Sequence, residues 1–122
     1  MKFTIQGRLD GLNAVIEANR RNKYEGNNLK QKNQSIVYYS IPYQICNQDL
    51  KYPVDVYITY YEPNNKRDAD NVISSQKFIL DAMVQRSVLP NDSRKYVDQI
   101  HPLVYTDRKN PRIEVEIKEK QK

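Results

Sequence analysis

Two carboxylates stand two residues apart in the run Lys66-Arg67-Asp68-Ala69-Asp70-Asn71. Hard oxygen ligands beside positive charge are what Mg²⁺-dependent phosphodiester chemistry uses. Acids at i and i+2 in extended chain point to the same side. They repel each other unless a cation or a proton lies between them. Two simpler roles compete with metal binding. Asp70 could cap the helix that follows, accepting hydrogen bonds from its free amides. Lys66 and Arg67 could instead neutralise the pair as a surface charge cluster. Capping accounts for Asp70 and leaves Asp68 without a role.

The helix beyond adds an angular argument. At about 100° per residue, Asp70, Lys77 and Asp81 fall on one stripe beside its apolar face. Lys77 lies about 10 Å along the axis from Asp70, and its side chain leans back toward the helix N-terminus. A cation there can hold a scissile phosphate or stabilise developing charge. The alternative is an intrahelical Lys77–Asp81 pair at i, i+4. Asp92 follows in a turn. It reaches this region only if the next strand runs beside the helix, and is otherwise an ordinary turn acid with Ser93. Phe78 is expected to point away from the apolar face, as an exposed aromatic suited to a subunit contact.

These residues need a scaffold, and 122 residues suit one domain over 1–122 with its own core. Strands are expected at Lys2–Leu9, Val54–Glu62, Val97–Thr106 and Arg112–Lys118, from alternating apolar positions. Pro102 marks an edge or a bulge. Helices are expected at Leu12–Arg21, at Leu29 to about Ser40, and at Val72–Ser87. Gly26-Asn27-Asn28 is read as the break between the first two helices. The run Ile36–Tyr39 is ambiguous between helix and strand, and the tail Glu119–Lys122 is expected to fray. The order is β-α-α-β-α-β-β. The fold class is α/β of the α+β type, a small mixed β-sheet with helices packed on it.

A formal charge of +5 fits a polyanionic partner, and equally a merely soluble basic protein. One cysteine, Cys46, excludes an internal disulfide and a cysteine-rich zinc site. One histidine, His101, excludes multi-histidine metal sites. Any metal must therefore be held by carboxylates. With no long apolar run and no signal-peptide pattern, a cytoplasmic protein with no membrane partner is expected. Lys66, Arg67, Arg20, Arg21, Lys23, Lys30 and Lys32 are candidates for contacts to a nucleic-acid backbone.

The chain resembles the RusA family of Holliday junction resolvases. The resemblance rests on Asp68-Ala69-Asp70-Asn71, then Lys77, Leu80-Asp81-Ala82 and Asn91-Asp92-Ser93. It extends upstream through Gly11-Leu12-Asn13 and the basic run Arg20-Arg21, covering nearly the whole chain. It implies a RusA-like α/β homodimer that binds four-way DNA junctions and makes paired symmetric nicks with Mg²⁺, or with Mn²⁺. Asp68, Asp70 and Asp92 match the family's metal-binding acids, Lys77 its active-site lysine, and Asn71 the asparagine that follows the second acid. Two alternatives stand beside it. One is a non-enzymatic module for branched DNA, and the other a nuclease for flaps or forks.

Overall fold

The computed structural model describes residues 1–120. The elements are β1 (Lys2–Gln6), α1 (Leu12–Arg21), α2 (Lys23–Ser40), β2 (Val54–Glu62), α3 (Ala69–Ile73), α4 (Gln76–Gln85), β3 (Val97–Thr106) and β4 (Arg112–Glu119). A 3-10 turn lies at Tyr43–Ile45. The four strands form one mixed sheet in the order β1-β4-β2-β3. β4 runs antiparallel to both β1 and β2, and β3 runs parallel to β2. Parallel neighbours need a long crossover, and α3 with α4 provides it.

Alternation drives the sheet. On β2, Val54, Val56, Ile58 and Tyr60 are buried and the residues between them are not. Phe3 and Ile5 of β1 and Ile113, Val115 and Ile117 of β4 join the same core. Val37 of α2 and Ile79 and Met83 of α4 cover it from the helical side, each fully buried. β3 is an edge strand, as Pro102 suggests, while the register shift falls at Val54/Asp55. Ile36–Tyr39 is helical. Among the described residues no helix is long and apolar enough to cross a membrane.

Five expectations are corrected. β1 ends at Gln6 because Gly7 adopts φ +80, a left-handed conformation that favours glycine. The first two helices break at Asn22, not at Gly26. The Asn22 side chain accepts the Glu25 amide at 2.8 Å and starts α2. Gly26 lies inside α2 where α1 packs close, because a β-carbon there would run into the Asn19 carboxamide.

The expected helix Val72–Ser87 is two helices. The Ser74 hydroxyl bonds the Asn71 carbonyl at 2.7 Å, and the Ser75 hydroxyl bonds the Val72 carbonyl at 3.0 Å. Such back-bonding competes with the backbone ladder and breaks it between α3 and α4. The break rotates Phe78 into the core, where it is buried. The tail is also partly ordered. Lys120 bridges Asp55 and Asp98 at 3.2 and 2.8 Å, while residues 121–122 lie outside the described residues.

Candidate active site

β2 and β3 end side by side, with the Asp107 amide on the Glu62 carbonyl at 2.7 Å. In α/β sheets ligands gather outside the carboxyl ends of the strands, and the central acids follow from this edge. Glu62, the last residue of β2, is buried. Arg67 grips its carboxylate with two hydrogen bonds, 2.9 and 2.8 Å. Arg8 adds a third at 3.3 Å, and Arg67 also donates to the Leu9 carbonyl at 3.0 Å. The loop of residues 63–68 is thus tied to the β1–α1 loop. Arg67, a candidate DNA contact by sequence, is placed on Glu62.

Asp68 occupies the N-cap position of α3, two residues earlier than the expected Asp70, yet its side chain caps no amide. Asp70 falls in the first turn, and its carboxylate accepts the Asn71 amide at 2.9 Å. Both acids are exposed. Among the described residues neither is in an ion pair. N-capping and neutralisation by Arg67 therefore account for neither side chain. The positive end of α3 lies beside them, a weak attraction in so short a helix.

Asn71 has a structural task. Its Oδ1 accepts the Asn13 amide at 3.0 Å and so caps α1 from outside. Gly11, the N-cap of α1, offers no side chain of its own for this. A β-carbon on Gly11 would lie 2.7 Å from the Asn71 carbonyl oxygen. The α1 N-terminus is thereby fastened to the turn that carries Asp70. Asn33 fastens the same loop from below. It is buried, accepts the Asp10 amide at 2.9 Å, and donates to the Asp10 carboxylate at 2.8 Å.

Lys77, on α4, bridges two acids. Its ammonium lies 3.0 Å from Asp81 and 3.1 Å from Asp92. Hydrogen bonds to Asp81 first, and then to Asp92, hold its pKa above the ordinary lysine value. Lys77 is therefore a cation at neutral pH and not a general base. The chain after α4 does bring Asp92 back to this helix. The i, i+4 pair with Asp81, one of the two roles the spacing allowed, coexists with the contact to the turn acid. Asp81 is the member of this group that was not expected in the site, although its i, i+4 spacing from Lys77 was visible. Lys30 and Gln34 of α2 line the same cleft as Lys77, Asp81, Asn91 and Asp92.

The other candidate cations are spread over the helical layer. Arg20 and Arg21 close α1 and Lys23 opens α2. Arg21 pairs with Glu17 at 3.7 Å and Lys32 with Asp10 at 3.4 Å. Lys66 is exposed in the loop before Asp68.

Among the described residues no three His, Cys, Asp or Glu side chains converge closely enough to hold a metal ion. Asp68, Asp70 and Asp92 do not form one cluster, and Asp92 already has Lys77 as its counter-ion. The donor set present, two free neighbouring carboxylates, still fits Mg²⁺. That ion keeps several waters and is commonly held by one or two carboxylates together with substrate phosphates.

Comparison with curated proteins gives no match. The family model described as Endodeoxyribonuclease RusA matches residues 13–118. That span runs from the capped end of α1 to the end of the sheet and contains Asp68, Asp70, Lys77 and Asp92. The chain belongs to the RusA endodeoxyribonuclease family.

Proposed function

We propose that this one-domain nuclease is a Mg²⁺-dependent Holliday junction resolvase that acts as a homodimer on four-way DNA. The observation that carries this is the exposed pair Asp68 and Asp70 at the α3 N-terminus, left without a counter-ion by any described residue. Asp68 and Asp70 would hold the metal, with Asp92 as a third ligand only on leaving Lys77 and moving toward them. When bound there, a divalent ion supplies Lewis acidity at the phosphate and a more acidic water. Mn²⁺ has the same preference for oxygen donors.

The chain's own residues do the rest. Glu62 and Arg67 fix the loop that presents Asp68. Asn71 fixes the turn that presents Asp70. Lys77, charged at neutral pH, stabilises negative charge on a phosphate or on the leaving oxygen. Lys30, beside Lys77, and Lys66, Arg20, Arg21, Lys23 and Lys32 supply salt-sensitive contacts to the DNA backbone. Two equal sites in a dimer suit two strands of like polarity.

Cleavage of a synthetic four-way junction and a matched linear duplex, with Mg²⁺ or chelator, tests this reading. Wild type should place paired nicks in the junction alone, and only with metal. Asp70→Asn keeps the oxygen that accepts the Asn71 amide, so it should bind the junction and not cut it. Cutting by that variant at the wild-type rate removes Asp70 from the metal site. The Lys77–Asp92 ion pair favours a second reading, a module that binds branched DNA without cutting it. Tight binding with no cutting under any metal would select it. Metal-dependent cutting of flaps or forks in preference to junctions would keep the chemistry and change the substrate.

A further inference from the structure

α2 and α4 pack against each other, and a polar groove lies along their contact. Asn27, Lys30, Gln31, Gln34 and Ser35 of α2 line it together with Gln85 of α4. Lys30, Gln34 and Gln85 continue into the cleft that holds Lys77 and Asp92. The Gln34 carboxamide donates to the Gln85 carbonyl at 2.9 Å. Such a head-to-tail pair uses one donor of the first amide and one acceptor of the second. It leaves a carbonyl oxygen on Gln34 and an amino group on Gln85 free of this bond.

We propose that Gln34 and Gln85 read the edge of a DNA base near the phosphate that Lys77 meets, and so set which sequences this nuclease selects. A free acceptor with a free donor is the pattern that reads adenine, whose N6 amino group donates and whose N7 accepts. Lys77, Asp81 and Gln85 follow one another at i, i+4 spacing on α4. Gln85 therefore lies about 12 Å along the helix axis from Lys77. Stacked bases repeat about every 3.4 Å, which puts the base about three or four steps from that phosphate.

Charge and chemistry select this occupant. The α2 side of the groove carries Lys30 and no acid, so a polyanion can lie along it. Its other groups are carboxamides and a hydroxyl, which hydrogen-bond base edges and offer little to an apolar segment. The pair has no large structural task to compete with this. Val37, Ile79 and Met83 are fully buried between the helices and the sheet, and Gln85 is exposed, where one hydrogen bond adds little to stability. The inference goes beyond the nuclease reading above and rests on it only for the phosphate at Lys77.

Binding selection by the full chain tests it, in chelator, from a pool of four-way junctions randomised around the branch, with the bound DNA sequenced. Wild type should enrich adenine at one position by about tenfold. Gln34→Ala and Gln85→Ala should each lose that enrichment, with the urea midpoint and the salt slope of the pool unchanged. Lys30→Ala should weaken binding to every sequence alike and lower the salt slope by about one. No enrichment in wild type, or an enrichment that both glutamine variants keep, would overturn the proposal. So would a loss of affinity equal over all sequences in those variants. A fall in their urea midpoint with the enrichment kept would also overturn it, leaving the pair as a tie between helices. Cutting of the same pool with Mg²⁺ reads the nuclease separately, so the two readings fail independently.

Discussion

Replacing Arg67 with alanine separates two roles for this residue. If Arg67 holds the loop, its loss leaves Glu62 buried, with only Arg8 at 3.3 Å as counter-ion. Breaking a buried pair by removing one partner costs about 3–5 kcal/mol. The Arg67 side chain is 21% exposed and the Arg8 side chain 41%, so solvent and Arg8 recover part of this. The expected loss is about 2–3 kcal/mol, or a fall in Tm of about 8–12 °C for a chain of this size. Glu62→Gln with Arg67→Gln should cost less than Arg67→Ala alone, because no uncompensated charge stays buried. Cleavage should fall with junction affinity unchanged at a given salt. If Arg67 is instead a phosphate contact, stability stays within about 0.5 kcal/mol of wild type and the salt slope of binding drops by about one. Urea unfolding and salt-dependent gel shifts on the same variants read both quantities. A stable Arg67→Ala with a reduced salt slope would refute the clamp.

Three further outcomes follow from the neighbouring contacts. Asn71→Ala removes the outside cap of α1 and should cost about 1 kcal/mol in urea unfolding. Gly11→Ala should cost more in wild type than in Asn71→Ala, since part of the clash is with the Asn71 side chain, and equal costs would exclude that contact. For Lys77, the raised pKa favours the charged form in the folded state. The stability it adds is complete below the unfolded value, about 10.4, and is lost as pH rises through the folded value. Melting temperatures of wild type and Lys77→Met should therefore differ by a constant amount from neutral pH to about 10 and converge above it. Convergence already near pH 8 would mean that the ammonium is not held by Asp81 and Asp92.

Where local chemistry decides, the sequence was readable. The bounds of α1, β2 and β3 coincide with the alternation and the helical spacing, because each lies between strong turn signals. The edge position of β3 was visible in Pro102. What escaped depended on contacts distant in sequence, or on side chains acting against their own backbone. Gly26 looked like a breaker, but it serves a helix crossing that only α1 explains. The pattern Asn22 to Glu25 was the readable N-cap signal for α2. Ser74 and Ser75 broke a helix whose hydrophobic spacing looked continuous, which moved the N-cap from Asp70 to Asp68 and buried Phe78. Glu62 read as an ordinary strand end, and nothing local marks it as the partner of Arg8 and Arg67. Asp92 matched its family position, yet whether it met Asp70 or Lys77 was a question of how the chain returns after α4.

That last contact bears on how the site can work. Lys77 neutralises one of two acids it touches, so the group Lys77, Asp81 and Asp92 retains a single negative charge. Asp68 and Asp70 retain two. The carboxylates free for a hard cation are therefore those at the carboxyl end of β2, the two that the clamp and the cap position. The ammonium that could meet a phosphate belongs to a separate helix beyond the serine break. A metal that recruits Asp92 must first compete with Lys77 for it. Release of Asp92 would leave Lys77 with Asp81 and with a free donor for a phosphate. If Asp92 joined Asp68 and Asp70 in holding a metal, Lys77 would be freed to meet a DNA phosphate.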